Sequence, residues 1–292
     1  MKFRNNESRL GAKSVDANPP VIPEDIESEE TTESRGVLQF ATPTTFVELP
    51  TKGRYYPDGH PLHNQETIEI RFMTAKDEDI LSSKTLLKKG LAIDRLLQNV
   101  IVDKNIKVND LYVGDKNAVI IASRITGYGA NYLTNITCPV CGSNTEYEFN
   151  LEEGKTRFGG PSDKYNVSAT EKGTFVVRVP TSNVDVEVRL LTSADEQKLL
   201  KLTENRRKQK LPETTLTNQL RMFIVSVNGQ TETGVISSFI NNMPALDSRY
   251  LRNAYKEITP SIDLSHDFVC DQCTAEVEME VPMTADFFWP RR

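Results

Sequence analysis

All four cysteines of this 292-residue chain lie in two CxxC pairs, Cys138/Cys141 and Cys270/Cys273. Two such knuckles supply four thiolates, the ligand set of a closed tetrahedral zinc site. The segments that follow alternate: Tyr147, Phe149 and Leu151 after the first pair, Val277, Met279 and Val281 after the second, with polar residues between. Period-two alternation is the pattern of a strand with one buried face, so each CxxC reads as the turn of a short hairpin and the two together as a zinc ribbon. Four thiolates leave no open position for water or substrate, which predicts a structural rather than a catalytic metal. The same thiolates would hold iron; the hairpin context favours zinc. The competing reading is four reduced thiols with no metal. One obstacle is the spacing. The knuckles are separated by 128 residues, 142 to 269, where an ordinary ribbon has about 15–20.

An internal repeat accounts for that gap. IEIRFMTAKDEDIL (68–81) and VEVRLLTSADEQKL (186–199) align at an offset of 118, matching Arg71 with Arg189, Thr74 with Thr192, Asp77 with Asp195 and Glu78 with Glu196. Both read as a short strand, a Thr cap and an acidic first helical turn, where carboxylates suit the positive end of the helix dipole. Further on the offset becomes 132, matching Asp115 with Asp247 and each knuckle with the other. The fourteen extra residues are expected near ENRRKQKLPETT (204–215). Ile93, Leu96, Leu97, Val100 and Ile101 predict a helix with one buried face, and Leu216, Leu220, Phe223, Ile224 and Val227 nearly repeat it. A third helix follows Asp115 in one copy and Asp247 in the other. The expected fold is α+β, with two tandem related units (strand, helices, CxxC hairpin). One zinc-ribbon-like site of four shared cysteines would join them near a pseudo-two-fold axis. Removing the metal should then loosen the contact between the halves.

These patterns divide the chain into an acidic arm (1–37), a Pro/Gly-rich lead-in (38–64), a first unit (65–152), a linker with some strand (153–182), a second unit (183–283) and an aromatic tail (284–292). The arm holds six acids and no base between Glu24 and Glu33, a composition that predicts disorder: either a solvated tail or a segment that orders on a partner. The lead-in is turn-rich and holds Tyr55 and Tyr56; its LPTKG lacks the glycine spacing and terminal Gly-Lys-Ser/Thr of a phosphate loop. In the tail, Phe287, Phe288 and Trp289 stand together. Exposed, they would be costly in water, so they either fold back on the core or dock on a partner; as a cluster of interface-type aromatics they are the candidate partner-binding residues.

A net charge of −6 argues against a protein that coats nucleic acid. A basic cluster, Arg206, Arg207, Lys208 and Lys210, keeps a nucleic-acid-binding zinc ribbon as the alternative function, though no reading motif accompanies it. No apolar run is long enough for a membrane helix, and the first ten residues lack the apolar segment of a secretory signal. The three histidines, His60, His63 and His266, lie in two distant regions, which leaves little for acid–base or nucleophilic catalysis. No enzyme is expected, and no small-molecule substrate.

LPTKGRYY, the block IEIRFMTAKDEDIL, DLYVGDKN, the RITGYGANY stretch before CPVCG and the terminal FFWP together resemble the baseplate-hub proteins of T4-like contractile-tailed phages, a hub subunit and a related hub-assembly protein. The resemblance covers roughly residues 46–292. It implies a structural or assembly protein without enzymatic activity, with other hub or tail proteins as partners. The implied location is the virion tail baseplate, after assembly in the host cytoplasm. It supplies no catalytic residues.

Overall fold

The computed structural model describes residues 42–210, 212, 214–283 and 285–288. The acidic arm expected over 1–37 and Trp289 of the tail lie outside the described residues.

Strands β1 (Thr44–Glu48) and β2 (Thr67–Arg71) form an antiparallel hairpin in which Val47 stands opposite Ile68. Alternation turns Val47, Ile68 and Ile70 inward. The chain then forms α1 (Ala75–Ser82), α2 (Lys84–Lys88) and α3 (Ala92–Val100). α3 buries Leu96, Leu97 and Val100, the face its spacing predicts. Helix α4 (Val113–Tyr128) ends at Gly129, whose φ of 85° suits a residue without Cβ. The first CxxC hairpin follows as β3 (Asn131–Thr137) and β4 (Asn144–Asn150).

Residues 153–182, expected as a linker with some strand, supply β5 (Lys155–Arg157), β6 (Val167–Ala169) and β7 (Phe175–Arg178). Then come β8 (Asp185–Val188), α5 (Ser193–Lys208), α6 (Thr215–Phe223), β9 (Ile224–Val227), α7 (Thr233–Asn242) and α8 (Ala245–Ile258). β10 (Ser261–Asp263) precedes the second CxxC hairpin, β11 (Ser265–Val269) with β12 (Glu276–Glu280). Strands β6, β7, β8 and β9 form one antiparallel sheet in that order.

Two expectations are corrected here. The helix expected to run through Val227 stops at Phe223, and Ile224–Val227 is a strand beside β8. Its Ile-Val-Ser-Val run is β-branched and fits a pleated surface better than a helix. The surplus of fourteen residues is also not confined to 204–215. Helices begin at 75 and 193, at 92 and 215, and at 113 and 245, so the spacing grows by five and then by nine, the nine falling where α7 sits.

The described residues share two apolar cores. One gathers Val47, Leu49, Tyr56, the inner faces of α1, α3 and α4, and both CxxC hairpins. The other gathers the four-stranded sheet with Leu220, Phe223, Leu251 and Ile258. The second hairpin therefore leaves the core of the helices that precede it and joins the first. Several contacts lock the cores together. β5 pairs with β10. Val113 donates its N–H to Leu191 O (3.1 Å), and Ser193 donates to Leu111 O (2.8 Å). Buried Lys116 reaches Asp94 and Glu196, each at 3.0 Å. Tyr55 packs on Phe175 of the second core while its neighbour Tyr56 is buried in the first.

Of the two readings of the aromatic tail, the described residues take the one that folds back on the core. Phe287 and Phe288 are each 2% exposed, in a short turn (Ala285–Phe288) packed into the first core. They are core residues rather than a free aromatic anchor. Arg124, itself fully buried, holds them there by donating from Nε to Phe287 O at 2.7 Å.

Candidate metal centre

The two hairpins pack edge to face. Tyr147 of β4 lies against Phe268 of β11, ring centres 5.4 Å apart, and donates its hydroxyl to Asp267 O at 3.3 Å. His266 of β11 packs on Phe149. Such mutual packing brings the two knuckles face to face. The four sulfurs lie within 4.8 Å of one another, with Cys138 Sγ 3.8 Å from Cys273 and Cys141 Sγ 3.7 Å from Cys270. A tetrahedron with zinc–sulfur bonds of about 2.3 Å has sulfur–sulfur edges of about 3.8 Å. The thiols are free and none is joined in a disulfide. Donor set and spacing both fit a tetrathiolate metal, and these four cysteines can hold one.

The knuckles are built alike. Gly142 N–H donates to Cys138 O (2.9 Å) and Thr274 N–H to Cys270 O (2.8 Å). Cys138 N–H donates to Ser143 O (2.8 Å) and Cys270 N–H to Ala275 O (3.0 Å). Each turn needs a left-handed residue. Gly142 supplies it with φ 74°; Thr274 does so with φ 55°, an unfavourable place for a β-branched side chain. Ser143 Oγ lies 3.0 Å from Cys141 Sγ and 3.5 Å from Cys270 Sγ. Its hydroxyl, with the N–H groups of Cys273 and Gln272, draws the Cys270 thiol down to about 6. The opposite holds for Cys273, whose thiol is pushed up to about 12 by burial and by the neighbouring sulfurs of Cys141, Cys270 and Cys138, so without a cation the clustered sulfurs do not all ionise together. His266 is not one of the clustered ligands; its ring is held between Phe149 and Glu153.

The other histidines serve the lead-in loop. His60 stacks on Tyr56 at 4.5 Å, and His63 bonds Tyr56 O at 2.6 Å. The basic cluster falls in the last turn of α5 and just beyond it, where cations complement the helix dipole.

One pair of polar sites was not anticipated from the sequence. Asp115, in the first turn of α4, is fully buried and accepts from Thr51 N–H (3.0 Å), Thr51 hydroxyl (2.7 Å) and Tyr56 hydroxyl (2.8 Å). Asp247, in the first turn of α8, accepts from Thr181 N–H, Ser182 N–H (both 2.8 Å) and Ser182 hydroxyl (2.6 Å). Thr51 and Thr181 each follow a proline, in LPTKG and VPTSN. Each turn thus hangs on the start of a helix 64 or 66 residues away. The signal was available: the two Pro-Thr turns match each other as the two aspartates do. Burial sets the carboxylates apart. It outweighs the donors at Asp115 and raises its pKa; at Asp247 the Ser182 and Thr181 donors outweigh burial and lower it.

The fold and site define a mixed α+β protein in which two distant hairpins meet at a four-cysteine cluster able to hold a metal. The family described as T4 bacteriophage base plate protein matches residues 42–289, and the chain belongs to that family. It is a phage baseplate structural protein, and its family places it in the virion tail with other baseplate or tail proteins as its company. No curated protein and no solved structure matches it. No helix among the described residues is long and apolar enough to cross a membrane.

Proposed function

We propose that this chain is a non-enzymatic part of the baseplate hub, or a factor that builds it, and that a structural zinc at Cys138, Cys141, Cys270 and Cys273 holds its two halves in the shape its partners bind. The observation that carries the baseplate part of this reading is the family match across the described residues; the hub part rests on the resemblance of the sequence motifs to baseplate-hub proteins. The closed thiolate set supports a structural metal, because four sulfurs leave no position for substrate. The proposed partners are other hub or tail proteins, met after assembly begins in the host cytoplasm.

The halves are read as copies of one unit. Three matched geometries support this. Arg71 reaches Asp77 and Arg189 reaches Asp195, each at 2.7 Å, beside a capping Thr. The two Pro-Thr turns are each held by a helix-start aspartate. The two knuckles repeat the same backbone bonds.

The test is a count of this chain in purified phage particles against a tail protein of known copy number. A fixed, low stoichiometry supports a built-in hub subunit. Presence in infected cells but absence from particles makes it an assembly factor that leaves. Salt-sensitive binding to DNA by the purified chain would replace this reading with a nucleic-acid-binding zinc ribbon.

A further inference from the structure

Helix α3 lines two open hollows, of about 520 and 460 Å³, within the size range in which proteins seat ligands. Arg95 and Gln98 line both, so the hollows adjoin and form one groove across the helix. The walls are held from within. Gln98 donates from its amide to Ile106 O (3.0 Å) and accepts from Val108 N–H (3.1 Å), which clamps the loop after α3. Lys104, on that loop, donates to Asn99 O (3.0 Å), Gln98 O (3.2 Å) and Ile101 O and so caps the end of α3. Asn99 donates to Asp77 in the first turn of α1 (2.6 Å), and Gln197 of α5 donates to Asp94 (2.6 Å) and Asn109 (3.2 Å). A surface fixed in this way needs little ordering when a ligand arrives.

The groove carries one sign of charge. Lys76, Arg95, Lys104 and Lys107 line it, and all four are exposed. The carboxylate in its lining, Asp94, is already neutralised by Lys116 at 3.0 Å. Among the described residues no carboxylate pairs with Lys76, Arg95 or Lys107. This concentration of cations stands in a chain whose net charge is −6. A cleft lined by one sign of charge focuses the field and draws the opposite charge into it.

The layout of the lining selects the ligand. Lys107 stands in one hollow, Lys76 and Lys104 in the other, and Arg95 is shared. A lone phosphate calls for donors that converge on one point. Cations strung along a groove suit a chain of anions instead. A nucleic-acid strand is such a chain, but it also calls for aromatic faces on which bases stack. The lining offers Ile80 in one hollow and Leu86, Leu91 and Val108 in the other. Leu86 and Leu91 are half-buried, and the space between them seats an apolar side chain.

We infer that the groove across α3 is a docking site for an extended acidic peptide segment of a partner protein. An apolar side chain of that segment enters the hollow of Leu86 and Leu91, and its carboxylates meet Arg95 in the middle and Lys76 beyond. Arg95 takes a carboxylate on two parallel N–H groups, and the lysines act as point charges. Complementary charge of this kind sets which partner docks and how fast it arrives. The groove uses none of the four cysteines, so it can fail while the metal centre and the hub reading stand, and the reverse.

The measurement is fluorescence anisotropy on the full chain at physiological salt. The probe is a labelled peptide of Asp and Glu with a single leucine at one end. It should bind, and its counterpart with Asn and Gln in place of the acids should not. Lys76→Gln combined with Arg95→Gln should weaken binding by about tenfold or more and leave the melting temperature unchanged, since both side chains are exposed. Lys107→Gln, in the other hollow, should weaken it as well. Arg206→Gln combined with Arg207→Gln removes the same charge from α5 and should bind as wild type does. An equal loss in the two double variants overturns the inference, because attraction would then belong to the surface at large. A wild type that leaves the peptide free also overturns it. So does single-stranded DNA that displaces the peptide and is lost with the same Lys76 and Arg95 changes, since the groove would then hold nucleic acid.

Discussion

Among the described residues Arg124 is the largest fully buried side chain, and it spends its guanidinium on three backbone carbonyls: Gly129 at 2.6 Å, Phe287 at 2.7 Å and Asn131 at 3.0 Å. A planar cation is suited to this because it fixes several acceptors at once. Arg124→Met keeps much of the volume but strands those carbonyls. It should cost on the order of 3 kcal/mol and release the tail, read as a lower melting temperature and as new protease cleavage after Met283. Asp77 is a second residue whose chemistry is set by neighbours. Burial alone would raise its pKa; Arg71, the N–H and hydroxyl of Thr74, and Asn99 outweigh that and hold it at about 2. Its folded pKa lies below its unfolded value, so its stabilisation is present above about pH 4 and is lost as pH falls toward 2. Asp77→Asn should therefore be less stable than wild type in urea at pH 6, and the gap should shrink by pH 2. An equal gap at both pH values would show that charge on Asp77 is not what stabilises.

At the scale of elements, the contact between α4 and β10 is set by a missing side chain. A Cβ on Gly114 would lie 2.1 Å from Pro260 O. Because backbone would have to move, Gly114→Ala should lose about 1–3 kcal/mol in urea unfolding. Gly234, in α7, has no atom within 4 Å of its would-be Cβ. Gly234→Ala should be neutral or stabilising by up to about 1 kcal/mol. Much at this scale was legible from local pattern. The spacing of Leu96, Leu97 and Val100 predicted the buried face of α3, and the alternation after each CxxC predicted β4 and β12. Ile224–Val227 misled because its apolar residues continue the helical spacing of α6, while its β-branched run has a sheet edge waiting at Val188. A helical period in a short segment says only which residues share a face, and the neighbouring strand settled the conformation.

The whole molecule is held by joins between residues far apart in sequence, and the cysteine cluster is the most demanding of them. It ties β3–β4 to β11–β12 within one core. Cys138→Ser or Cys270→Ser should lower stability by on the order of several kcal/mol, and a strong chelator should lower the wild-type melting temperature to a similar degree. Elemental analysis should find one zinc per chain. A serine variant that melts like wild type would remove the shared site from the account. The Lys116 bridge to Asp94 and Glu196 and the β5–β10 pairing make further joins, so loss of metal should loosen the halves rather than unfold each of them.

The sequence by itself determined the four cysteines that cluster, the capped helix starts at Thr74 and Thr192 and the strand-or-helix character of most segments. All of these are properties of a few adjacent residues, readable from spacing and side-chain type. Only the tertiary structure decided that the second hairpin leaves its own helices for the first core, and that Phe287 and Phe288 are covered by this chain. The physical reason is that burial of an apolar face is demanded locally, but what buries it is chosen among all surfaces of the folded chain. Two aromatic side chains announce that something must cover them. Arg124, on a helix 163 residues upstream of Phe287, determines what does.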